Sequence, residues 1–200
     1  MAPQSAISRR EQTSRVITRC AQELAIEHGF DGFTLDDLAA RAGVSRRTLF
    51  NYFPGKEAAV LGVPAALDPD VLSAFVAGGP AGDQPSSGGR LLEDLAALVV
   101  STYTREDPDR ADWHRVHALF ERNPRLIAVA KERFDALVSD VRVAAEERES
   151  LPAGHPRARV AVAIVAGLFH DSLGRFLADE DIDFPTDFLA GVDEATRLLR

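Results

Sequence analysis

Residues 34–53 read TLDDLAARAGVSRRTLFNYF, and their pattern decides the fold. Thr34 precedes Leu35, Leu38 and Ala39, which share one helical face. A Thr in that place offers its hydroxyl to the free amides of a helix start. Asp36 and Asp37 fall in the first turn, where the helix dipole favours acids, and Asp37 stands three residues after Thr34 in a weaker form of the capping box. Gly43 suits a tight turn that needs positive φ, which glycine adopts without steric cost. Ser45 caps a following short helix, where Leu49 and Phe53 face inward with Val44. The small Ala39 lets the two helices approach closely. The spacing predicts a helix over about 35–41, a turn, and a second helix reaching about Tyr52: a helix-turn-helix.

The side chains left pointing outward are Ser45, Arg46, Arg47, Thr48, Asn51 and Tyr52. They are donors and cations, suited to phosphates and base edges; Arg bonds guanine bidentately and Asn bonds adenine. The competing role is a solvated helix face that touches no nucleic acid.

Working outward, Ile17, Ala21, Leu24 and His28 follow helical spacing and Gly29 supplies a C-cap, which predicts a first helix over about 10–28. Pro54-Gly55 ends the helix-turn-helix, and a further helix starts near Lys56 and breaks at Gly62-Val63-Pro64. Helices are then expected near 69–77, 90–105, 108–122, 124–149, 157–178 and 186–199, with a flexible loop of GGPAGDQPSSGG at 78–89. No sustained apolar/polar alternation and no Asn-Gly or Asp-Gly turn announces a strand. The fold class expected is all-α with about nine helices: a small helix-turn-helix domain at 10–60 and a helical bundle at 61–200.

The formal charge of −8 argues against a nucleic-acid partner when taken whole, but it is unevenly spread. Residues 1–60 carry eight basic and seven acidic side chains, whereas residues 61–200 carry fifteen and twenty-four. An apolar share of 46% with eleven Phe supports a sizeable core. The single Cys20 excludes an intramolecular disulfide framework and a Cys-rich zinc site. The N-terminal stretch has no apolar signal-peptide core, and the run from Val160 to Phe169 falls short of the ~20 residues of a membrane span. A soluble, cytoplasmic protein with no membrane partner is expected.

With these residues in view, the segment 10–60 resembles the DNA-binding domain of TetR-family transcriptional repressors. The matching positions are Ile17, Ala21, Leu24, Gly29-Phe30, Phe33-Thr34, Leu38-Ala39, Ala42-Gly43-Val44-Ser45, Thr48-Leu49, Phe53 and Lys56, without a gap. The resemblance implies that Thr34 and Lys56 touch phosphates, and that Ser45 to Tyr52 lie in the major groove. One departure is Phe50, where the family commonly has Tyr, so the phosphate contact falls to Tyr52.

The resemblance further implies a homodimer through the helices at about 157–178 and 186–199, on a palindromic double-stranded DNA operator. It also implies a small-molecule effector among the middle helices, with no cofactor. Residues 113–137 are similar to a C-terminal-domain subgroup of actinobacterial members. The candidate effector-lining side chains are Trp113, His117, Phe120, Phe134, Phe169 and Phe176, for each of which plain core packing is the competing role. His114, His117, His170 and Asp171 lack a spacing that ties them together, so no metal is expected. No Gly-rich phosphate loop, G-x-S-x-G or H-E-x-x-H motif suggests an enzyme. A co-regulator or protein-binding helical module without DNA affinity stays open as the alternative.

Overall fold

The computed structural model describes residues 9–63, 67–78, 90–106 and 110–199. Among these residues there are ten helices and no strand. They are α1 (Arg9–His28), α2 (Leu35–Arg41), α3 (Arg46–Tyr52), α4 (Lys56–Leu61) and α5 (Pro69–Val76), followed by α6 (Leu91–Glu106), α7 (Arg110–Arg122), α8 (Pro124–Arg148), α9 (Pro156–Ala178) and α10 (Phe184–Leu198). The all-α class stands. The loop expected at 78–89 lies outside the described residues from 79 onward, as does Pro64.

The chain divides into two compact units, residues 1–64 with 111–133, and residues 65–110 with 134–200. In the first unit, Ile17, Ala21 and Leu24 of α1 are buried with Phe30, Phe33, Leu38, Leu49, Phe53, Ala59 and Val60. Leu119 of α7 and Leu126 of α8 are buried in this same cluster. The sequence pattern put one boundary near residue 60 and assigned all of 61–200 to a second domain. The folded chain instead places 111–133 with the first unit, because the apolar faces around Leu119 and Leu126 pack there. A polar bond supports the same arrangement, since Arg133 Nη1 donates to the Gly62 carbonyl at 2.8 Å; within residues 1–64, Gln22 Nε2 donates to the Val60 carbonyl at 3.0 Å. Helix α4 stops after Leu61, where Gly62 has φ +74°.

The second unit is centred on rings. Phe184 and Phe188 of α10 are fully buried and stack at 5.7 Å between centroids. Around Phe184 lie Tyr103 at 4.6 Å, Phe169 at 5.3 Å and Phe176 at 6.4 Å. The guanidinium of Arg110 lies over the Phe176 ring and donates to the carbonyls of Phe176, Asp179, Glu180 and Ile182. It thereby satisfies acceptors left free where α9 ends. Among the described residues, α9 is long and apolar enough by composition to cross a membrane. Five of its apolar residues, Ala158, Ala161, Val162, Val165 and Phe176, are nevertheless buried.

Candidate nucleic-acid interface

Local chemistry builds the helix-turn-helix from both ends of each helix. At the start of α2, the Asp37 amide donates to Thr34 Oγ1 at 3.1 Å. In return, the Thr34 amide and hydroxyl reach Asp37 Oδ2 at 2.8 and 2.7 Å. These bonds, the side-chain one foremost, hold the Asp37 carboxyl below its usual range. The reciprocal pair is a capping box with Asp in the place of Glu. At the other end, Val44 N–H bonds the Ala39 carbonyl at 3.0 Å and Gly43 N–H bonds that of Ala40 at 3.2 Å. This is the Schellman pattern, and Gly43 supplies its left-handed residue at φ +65°. Arg41, in the last turn of α2, forms a two-point bond with Glu27 of α1, which lowers the pKa of the Glu27 carboxyl.

Helix α3 starts on Ser45, whose Oγ accepts from Thr48 N–H at 3.0 Å and lies 2.7 Å from Thr48 Oγ1. Leu49 and Phe53 are buried, as their spacing predicts. The rest of the helix turns outward: Ser45, Arg46, Arg47, Phe50 and Asn51 are exposed, and Thr48 and Tyr52 are half-buried.

The residues expected to meet DNA are therefore on one short stretch, but they are not equally available. Arg47 and Asn51 carry no side-chain hydrogen bond or ion pair among the described residues. Arg46 is paired with Asp36 at 3.0 Å. The Thr34 hydroxyl is engaged in the cap. Lys56 Nζ donates to the Phe33 carbonyl at 2.6 Å and lies 4.3 Å from the Phe33 ring centroid. Tyr52 is backed by Arg10 of α1, whose guanidinium sits 5.7 Å from the ring centroid. The pairing of Asp36 with Arg46 was not legible beforehand, since two residues ten apart meet only once the turn has folded. Phe50 had been noted for the hydroxyl it lacks; its ring in fact stands in the open under the Arg46 guanidinium.

A comparison with known proteins agrees with this geometry. Residues 17–62 match the sequence profile of the family described as Bacterial regulatory proteins, tetR family. Residues 17–62 thus carry a TetR-type domain. Over 50 residues the chain is 46% identical to a Mycobacterium tuberculosis protein assigned as the mycofactocin biosynthesis transcriptional regulator MftR. Over 53 residues it is 38% identical to the uncharacterized HTH-type transcriptional regulator YdeS of Bacillus subtilis. These matches span only 25% and 27% of the two relatives' lengths, so they speak for the TetR-type domain alone. A crystal structure assigned as a TetR-family transcriptional regulator from Mesorhizobium loti aligns over 96% of this chain and 98% of its own, with TM-score 0.51 and 17% identity. That likeness establishes a shared fold.

The candidate effector-lining residues divide between the two units. Trp113, His117 and Phe120 belong to the first unit, and Phe134, Phe169 and Phe176 to the second. His117 is exposed and 3.8 Å from Glu121, Phe120 packs against the first core, and the Trp113 indole N–H is buried without a partner. Phe134 stacks on Phe169 at 6.1 Å, and Phe176 is buried against Phe184. Phe134 and Phe169 thus pair directly, while Phe169 and Phe176 each pack on Phe184. Likewise His114 and His117 fall in the first unit, and His170 and Asp171 in the second.

Proposed function

We propose that this chain is a DNA-binding regulator of transcription that uses α3 as its recognition helix. The observation that carries this is the capped helix-turn-helix of the TetR-type domain with Arg47 and Asn51 exposed and unpaired on its outer face. Ser45, Arg46, Arg47, Thr48, Asn51 and Tyr52 meet the major groove, and Thr34 and Lys56 meet phosphates by their place at the starts of α2 and α4. Because so small a unit reads few base pairs, two copies on half-sites about 34 Å apart are required, and the operator is a palindrome.

The dimer forms through α9 and α10. Support comes from the apolar groove along Leu91, Leu92, Val160, Ala161, Ile164 and Leu199, together with the exposure of Val160, Leu198 and Leu199. The regulator acts as a repressor in the bacterial cytoplasm, and a small-molecule effector releases it from DNA.

The test replaces Arg46 and Arg47 together with Ala. Binding to a duplex covering the DNA upstream of the protein's own gene is followed by electrophoretic shift, and melting and sedimentation check fold and assembly. Loss of the shift with fold and assembly unchanged is the expected result; an undiminished shift would remove α3 from the role. A second reading, a co-regulator without DNA affinity, is favoured by the internal engagement of Arg46, Lys56 and the Thr34 hydroxyl. It predicts that the unaltered protein shifts no duplex at any salt concentration.

A further inference from the structure

Arg46 and Arg47 are adjacent in sequence and differ in circumstance. Arg46 Nη1 donates to Asp36 Oδ2 at 3.0 Å, and its guanidinium carbon lies 5.8 Å from the centroid of the Phe50 ring. Asp36 belongs to the first turn of α2 and Arg46 to the first turn of α3, so the bond ties together the starts of the two helices. Both side chains are well exposed, 61% and 64%, and such a pair adds little to stability. Its consequence lies in geometry and charge. A guanidinium carries five N–H donors in a rigid fork. One Nη1 hydrogen is spent on Asp36, the Phe50 face limits rotation on one side, and the Nη2 and Nε hydrogens stay free.

The carboxylate also cancels most of the field that Arg46 would offer a phosphate. Phosphate attraction depends on net charge, whereas guanine recognition depends on two directed donors held in place. An arginine buttressed by an acid loses more of the first than of the second.

We infer that Asp36 is a specificity-determining residue of the DNA interface. It holds Arg46 ready for a guanine edge and withholds it from the phosphate backbone, so sequence-independent binding is weakened more than specific binding. Arg47, unpaired, is left as the phosphate-seeking cation of the pair. This inference rests on the DNA-binding function proposed above.

The test measures fluorescence anisotropy across a range of salt concentrations for the full chain and for D36N, R46A and the double variant. Two probes are used: a duplex selected by this protein from random DNA, and a scrambled duplex of the same length. D36N is expected to bind the scrambled duplex roughly three- to tenfold tighter, with a log–log salt slope steeper by about 0.9 per half-site for the freed guanidinium. The selected duplex gains less, so the specificity ratio falls. In the R46A background the Asp36 change leaves ratio and slope where they were.

An equal gain in both backgrounds would overturn the inference, since it would show only the removal of a charge. An unchanged ratio for D36N would overturn it too. Binding of neither duplex by the unaltered chain is a different failure, that of the DNA-binding function itself. Asp36→Ser serves as a second variant should D36N disturb α2.

Discussion

Helices α2 and α3 of the helix-turn-helix are seven residues each, whereas α8, α9 and α10 run to 25, 23 and 15 residues. Helices below about 12–15 residues are marginal on their own, so α2 and α3 depend on what happens at their ends. The Thr34–Asp37 box, the Gly43 turn and the Ser45 cap supply those ends, and Leu38, Leu49 and Phe53 supply a thin core between them. In the second unit α5, α9 and α10 also start on capping side chains, Asp68, His155 and Asp183, but the longer helices there add a larger core. Its order comes from rings that converge on Phe184 from α6, α9 and α10. The ends of α2 and α3 are set by bonds between residues three to five positions apart, the centre of the second unit by packing between rings up to 81 positions apart. The first kind leaves a mark in the sequence; the second does not.

The sharpest way to break that contrast is to remove the ring at the centre. Phe184 is fully buried and touches four other rings. Phe184→Ala should cost ~3–5 kcal/mol in denaturant unfolding, from lost burial and the cavity left behind. A cost near that of an exposed residue would show that the second unit is held by something other than these rings.

A smaller loss is expected at the turn. A Cβ built on Gly43 meets no atom within 4 Å, so Gly43→Ala adds no clash. Only the left-handed backbone at φ +65° is charged for, at roughly 1–2 kcal/mol. The loss should appear in thermal melting, while the affinity of the still-folded protein for DNA stays nearly unchanged. A drop in affinity with unchanged melting would instead mean that Gly43 lies close to the DNA.

These differences explain what the sequence made legible. Thr34, Gly43 and Ser45 act on neighbours a few positions away, and so the ends of α2 and α3 could be placed almost to the residue. Helix bounds were also readable beyond the helix-turn-helix, where α8 and α9 begin at Pro124 and Pro156. Partners were not. Phe134, Phe169 and Phe176 sit at helical spacings equally suited to a ligand cavity or a core, and only the folded chain puts Phe184 among them. The return of α7 to the first unit was hidden for the same reason: nothing local to Leu119 or Leu126 says which apolar surface will cover it. At the interface the residue types were legible but their engagement was not, because Asp36 meets Arg46 and Phe33 meets Lys56 across turns.

The smallest expected effect separates the two regions by pH. Hydrogen bonds from the Thr34 hydroxyl and amide lower the Asp37 pKa in the folded protein. A carboxyl whose folded pKa is depressed contributes stability above its unfolded pKa, about 3.9 for Asp, and loses it as pH falls through the lower folded value. Glu27, depressed mainly by its bond to Arg41, loses its contribution over the same acidic range, so the absolute stability of the whole chain cannot isolate the cap. The difference between the native chain and Thr34→Ala can. Near neutral pH that difference should be ~1 kcal/mol, the ordinary worth of an N-cap. It should narrow as the solution is acidified below the usual carboxylate range, because a protonated Asp37 no longer returns the same bonds to Thr34. The gap produced by Phe184→Ala, whose ring contacts include no carboxyl or imidazole, should stay level over the same range. If both gaps narrow together, acid acts on the fold as a whole, and the cap is not what distinguishes the DNA-facing helices.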